Sequence, residues 1–186
     1  MTEPTPAAPH PIVNVDDVAE KTRTVGDHWG ASYKPLTPSM RPRGGSLGLN
    51  YIRLPKGRSA VPFHHHRRED EVFFVMSGRG VLRYGDKLLP LRAGDCVSCP
   101  AKTGTAHQIA NPFEEDLVYL AIGPYDTDEV CGYPDTGKVL VRGLQQIGKL
   151  EAMEYLAGEP TRPKVFELID AQDSAEHGLD EDGLDE

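Results

Sequence analysis

GRSAVPFHHHRREDEVFFVMSG, residues 57–78, sets three consecutive histidines and a glutamate ahead of an apolar run, between two glycines. His64 and His66 stand two apart. On a β-strand, residues i and i+2 share a face, so both imidazoles reach one point while His65 points the other way. Glu71 follows His66 by five positions. An odd offset on a continuous strand would send it to the wrong face, so the intervening RRED, residues 67–70, must contain a turn. A fourth group, His107, comes after PAKTGTAH, residues 100–107. Three neutral imidazoles and one carboxylate suit Mn, Fe, Co, Ni or Zn rather than Ca or Mg. The expectation is one divalent transition metal per chain on His64, His66, Glu71 and His107, with positions left open for a ligand. The competing reading of His64–His66 is a solvated basic patch with Arg67 and Arg68. A purification tag would sit at a terminus instead of between strand patterns.

Working outward, EVFFVM (71–76) is apolar on both faces, so both faces need a cover. Phe73 and Val75 share parity with Glu71 and should line the interior. The outer face calls for the N-terminal segment or a second copy of the chain. LGLNYIRL (47–54), GVLRY (80–84), KLLPL (87–91), LVYLAIG (117–123) and KVLVRG (138–143) are further strand patterns. SGRG at 77–80 and Gly85-Asp86 read as hairpin links. Short strands, tight turns and no helical periodicity between them predict an all-β barrel or sandwich. Residues 1–12 are Pro- and Ala-rich and read as flexible. Residues 13–46, interrupted by Pro35, Pro38 and Pro42, read as an extended arm anchored on the barrel by Trp29 and Tyr33. The barrel is expected over 47–147. A C-terminal extension over 148–170 should hold a short helix at KLEAMEYL (149–156) and a last strand at VFELID (165–170). The acidic tail 171–186 should be disordered.

These motifs resemble those of the cupin superfamily. Gly57, His64, His66, Glu71 and Gly78 match its first motif, and Gly94, Pro100, Gly104, His107 and Asn111 its second. There are two departures. Six residues instead of five separate Gly57 from His64, and three instead of one separate Pro100 from Gly104; neither alters ligand spacing on a strand. PAKTG (100–104) and CGYPDTGKV (131–139) resemble a bacterial branch of single-domain, type-2 cupins, some of whose members carry a sugar-phosphate isomerase label. The resemblance implies a double-stranded β-helix, or cupin jelly-roll barrel, with the four ligands at its centre. It also implies a homodimer.

Composition narrows the function. A chain of 186 residues with a formal charge of −9 makes one domain whose surface repels nucleic acid and anionic membranes. Much of that negative charge lies at the C-terminus. Three cysteines form no secreted disulfide framework. Cys96 and Cys99, three apart on a strand, face opposite ways and read as packing residues, as does the lone Cys131. GRGVLRYG (78–85) lies within a hairpin, not between strand and helix, so it is not a phosphate loop. The N-terminus shows no basic or apolar signal region, and no apolar run reaches membrane-spanning length, which predicts a cytoplasmic protein.

The ligand set fits two function classes. One is a metal-dependent enzyme on a small oxygen-bearing metabolite, in which the metal polarises a carbonyl or hydroxyl oxygen. A sugar or sugar-phosphate isomerase or epimerase is favoured, with an iron-dependent dioxygenase as a sub-case. The other class is a non-catalytic metabolite-binding or sensing cupin. Tyr51 and Arg53, on one strand face, and Phe73 are the candidate substrate contacts. Any phosphate would need Arg53, Lys102 or Arg79. The sequence singles out no catalytic acid or base.

Overall fold

The computed structural model describes residues 10–177. In chain order its elements are β1 (Lys21–Val25), β2 (Trp29–Pro35), β3 (Leu47–Leu54), β4 (Arg58–Ser59), β5 (His65–His66), β6 (Glu71–Ser77) and β7 (Arg79–Tyr84). There follow β8 (Lys87–Arg92), β9 (Cys96–Cys99), β10 (His107–Asn111), β11 (Leu117–Pro124), β12 (Val130–Tyr133), β13 (Lys138–Val141), β14 (Gln146–Gly148) and one α-helix, α1 (Lys164–His177).

The strands form two sheets. The larger runs β8-β7-β10-β4-β2-β3-β11-β6-β9, with β1 added on β2. The smaller runs β14-β13-β12-β5. All strand pairs are antiparallel except the short β2–β4 contact. This is the expected all-β jelly roll. The core lies on the inner face of the larger sheet, where Leu54, Val75 and Leu117 are fully buried and Phe73, Ile109 and Tyr119 pack around them. The period of two holds along β6: Phe73 and Val75 point inward, while Phe74 and Met76 remain 40% and 48% exposed.

Two polar devices hold the barrel's corners. Gly78, between β6 and β7, has φ of 77°, and a Cβ there would lie 2.2 Å from the Asp116 carbonyl oxygen. Only glycine fits that approach. Asn111, at the end of β10, is 1% exposed and donates through Nδ2 to the carbonyls of Leu54 (2.9 Å) and Glu115 (2.8 Å). Its Oδ1 accepts from Phe113 N at 2.9 Å, which satisfies the buried amide completely.

Three local expectations are corrected. The region expected to be an extended arm contains the β1–β2 hairpin, which pairs with β3 through Tyr33↔Ile52 and Ser32↔Arg53. The larger sheet therefore begins at residue 21, not at 47. KLEAMEYL forms no helix: eight residues followed by Gly158 and Pro160 are too few to offset helix nucleation. VFELID is helical instead of extended. Its apolar pairs, Val165-Phe166 and Leu168-Ile169, repeat at three residues, a helical spacing, and Pro163 precedes the first turn. The helix also takes in residues 171–177 of the expected disordered tail, whose remainder, like residues 1–9, lies outside the described residues.

By internal contacts the chain divides into Met1–Leu150 and Glu151–Glu186. Within the second unit, Arg162 pairs with Asp170 at 2.9 Å and lies over the Phe166 ring. No helix among the described residues is long and apolar enough to cross a membrane.

Candidate metal centre

Each of the four residues arrives by a separate local device. His64 and His107 form a bridge, with His107 N donating to His64 O at 2.8 Å and His64 N to His107 O at 3.2 Å. His66 is placed by β5, whose register against β12 is Cys131↔His66 and Gly132↔His65. The chain then bends through residues 67–70, as the odd offset requires, and Glu71 opens β6 opposite Cys99. The His65 ring lies against Gly132, where a Cβ would meet its Nε2 at 2.3 Å, and His65 stands outside the cluster.

His64, His66, Glu71 and His107 each present a ligand atom within 4.8 Å of the others, a grouping able to hold a metal ion. Glu71 Oε2 is its centre. His107 Nε2 lies 2.8 Å from it, His66 Nε2 3.2 Å and His64 Nε2 3.8 Å. The outer nitrogens are occupied or flanked by acceptors. His64 Nδ1 donates to Pro62 O at 2.8 Å, so its Nε2 carries the lone pair. His66 Nδ1 is 3.4 Å from Cys131 Sγ and 3.5 Å from Glu129 Oε1. His66 Nε2 is buried with no hydrogen bond in line, an unsatisfied atom aimed at the cluster. Donor set, tautomer and orphaned nitrogen all fit a divalent transition metal.

The metal-free electrostatics are those of a carboxylate ringed by imidazoles. Burial disfavours the Glu71 charge, but the hydrogen bond from His107 and the close approach of His66 outweigh it and hold the carboxyl well below its ordinary range. Burial and the neighbouring His107 depress His64 to about 4. At His66 burial also opposes charge, yet Cys131 beside its Nδ1 and the Glu71 charge beside its Nε2 lift it to about 10. Burial pushes the Cys99 thiol to about 12, in keeping with a packing residue.

Two expectations about neighbours change. Arg53 turns away from the cluster, with Ile52 and Leu54 on the core side of β3. It pairs with Glu20 and lies 3.7 Å from Asp116. Tyr51 shares that outer face. Of the three candidate substrate contacts, only Phe73 is beside the cluster, its ring 5.6 Å from that of His107. Arg79 is committed to Glu115 on the surface. Lys102, at φ 67°, donates its backbone N–H to His66 O and helps hold the loop before β10.

Sequence reasoning singles out neither Glu69 nor Glu129, and reads Cys131 only as a packing residue. Glu129 is fully buried and accepts from the N–H groups of Arg67 (2.7 Å) and Arg68 (2.9 Å), which fixes the bend between His66 and Glu71. Glu69, 5% exposed, pairs with Arg142 through both oxygens. These carboxylates and Cys131 line the back of His66. The odd offset to Glu71 signalled a bend, but nothing in the sequence pointed to what supports it.

Comparison with known proteins bears on the fold and the family. The cupin-domain family model matches residues 50–123. The oxalate-binding protein of Thermotoga maritima is 37% identical over 71 residues, 38% of this chain and 56% of that protein. The chain thus spans little more than half the length of that relative. Among solved structures, a provisionally named sugar phosphate isomerase from Acidithiobacillus ferrooxidans aligns over 75% of this chain and 92% of its own (TM-score 0.63, 23% identity). A cupin-superfamily sugar phosphate isomerase from Silicibacter pomeroyi aligns over 69% and 85% (TM-score 0.61, 25% identity). The jelly roll, the two motifs and the family match lead to one conclusion: residues 50–123 of this chain are a type-2 cupin domain.

Proposed function

We propose that this cupin binds one divalent transition metal (Mn, Fe, Ni or Zn) through His64, His66, Glu71 and His107 and acts on a small oxygen-bearing metabolite as an isomerase or epimerase of the sugar-phosphate type. The observation that carries the reading is the convergence of three imidazole Nε2 atoms on one partly buried carboxylate oxygen. When bound, the metal supplies Lewis-acid polarisation of a carbonyl or hydroxyl oxygen. The chain's own residues orient the imidazoles, exclude bulk water through Phe73 and Tyr119, and keep Glu71 ionised for coordination. The likeness to the Silicibacter pomeroyi isomerase supports the choice of reaction class.

A second reading, a metabolite-binding cupin without turnover, is favoured by the oxalate-binding relative. The two separate in one experiment. Metal-loaded protein is incubated in D2O with aldose and ketose phosphates, and carbon-bound deuterium is followed by NMR. Incorporation that disappears in H64A/H107A supports the isomerase. Oxygen consumption instead moves the assignment to the dioxygenase sub-case. Saturable binding of an unchanged ligand overturns the enzyme reading.

We also infer a homodimer formed through the outer face of β6, where Phe74 and Met76 stand exposed beside Leu120 and Ile122 of β11.

A further inference from the structure

A cleft of about 730 Å³ adjoins the metal cluster, and most of its lining comes from outside the family-matched residues 50–123. One wall is the inner face of the β1–β2 hairpin, with Arg23, Val25, Trp29 and Tyr33. Another is built by the β12–β14 region, with Tyr133, Asp135, Lys138 and Ile147. Pro62 and Phe63 join the cleft to the cluster. The Pro62 carbonyl accepts from His64 Nδ1, and the Tyr133 ring stacks near that of His64 at a centroid distance of 6.0 Å. The cleft therefore reaches the ligand sphere through residues in contact with His64.

Its charge is opposite to that of the protein, which is −9 overall. Arg23, Lys138 and Asp135 are the charged groups of the lining. Asp135 is already neutralised: its two oxygens accept from Arg83 at 2.7 and 3.0 Å. Lys138 stands 5.6 Å over the Tyr133 ring. Among the described residues, neither Arg23 nor Lys138 has an acidic partner. Two free cations in an otherwise aromatic and aliphatic cleft suit a ligand with one anionic end. An arginine fork matches a carboxylate or a phosphate, and aromatic faces pack against the uncharged body.

We propose that this cleft binds a small metabolite by its anionic group, a carboxylate or phosphate held by Arg23 and Lys138, with its body on Trp29 and Tyr33. The added hairpin, not the shared cupin domain, would thus set specificity. The inference deepens the reading of the metal site as the place where that metabolite reacts, and rests on it only there.

Trp29 is the sole tryptophan, so its fluorescence reports on the cleft directly. Metal-loaded full-length protein is titrated with glucose 6-phosphate and 3-phenylpropionate, and with their neutral counterparts glucose and 3-phenylpropanol. At least one anion should produce a saturable change, binding about tenfold more tightly than its neutral counterpart, as expected for a charge-assisted hydrogen bond. Added salt should weaken it. The responding pair distinguishes phosphate from carboxylate. R23Q/K138Q should lose the preference yet keep its metal by elemental mass spectrometry, and R23E alone should weaken anion binding further than R23Q. Equal binding of charged and neutral partners in both pairs, no saturable change with any of the four, or a preference surviving in R23Q/K138Q would each overturn the inference. Wild-type protein that shows the anion preference but takes up no metal on reconstitution would sink the proposed function and leave the cleft assignment standing. Metal binding without the preference would do the reverse.

Discussion

At the scale of single residues, Glu71 and His65 make the sharpest contrast. They stand six positions apart, one at the centre of the imidazole ring and the other packed on Gly132. Glu71→Ala removes the cluster's anionic ligand and should lower metal content measured by elemental mass spectrometry. His65→Ala should leave it unchanged. Equal loss in both would mean that the β5 register does not place the ligands. Behind His66, Cys131→Ala and Glu129→Gln should each weaken metal binding by about 10–100-fold in a chelator competition, since the groups behind a liganding imidazole fix its orientation. Cys131→Ser should recover part of that affinity. Unchanged affinity would reduce both residues to packing.

The histidines also give the metal-free protein a pH signature. His66 is raised from 6.5 to about 10, so its stabilising contribution is complete below pH 6.5 and is lost as pH rises toward 10. His64 is depressed to about 4, so its contribution is present above pH 6.5 and is lost as pH falls toward 4. Thermal midpoints of metal-free protein should therefore decline on both sides of about pH 6.5. The alkaline decline should vanish in His66→Ala, and it should shrink with metal bound, because metal displaces the proton. A midpoint flat from pH 6.5 to 10 in metal-free wild type would contradict the His66 assignment.

At the scale of elements, strand periodicity was the most legible feature. LGLNYIRL became β3 with the expected bounds, and EVFFVM became β6 with Glu71, Phe73 and Val75 on the inner face. The β1–β2 hairpin is not legible by that rule, because its strands are polar and exposed along β1 and the segment's prolines read as an extended arm. Gly30 is the hairpin's most constrained point. With φ of 107°, a Cβ there would lie 1.9 Å from Arg23 O. Gly30→Ala should destabilise the protein by more than about 1 kcal/mol in denaturant melts and shift Trp29 emission to the red. A variant matching wild type in both would mean that the hairpin does not hold this register.

At the scale of the whole molecule, the outer face of β6 makes the homodimer testable. Small-angle scattering should give about twice the 20.4 kDa chain mass. Phe74→Glu/Met76→Glu should reduce it to the single-chain value; a monomeric wild type would rule out the dimer. The jelly roll and the four-residue cluster were legible in the amino-acid order, because both rest on short-range rules: a period of two along strands and an odd offset that forces a bend. Tertiary structure alone decided what surrounds the cluster. Cys131 meets His66 across 65 positions of chain, and Arg53 turns outward to Glu20 across 33. Such contacts depend on which strands become neighbours and which face of each looks inward, and no local pattern carries that information.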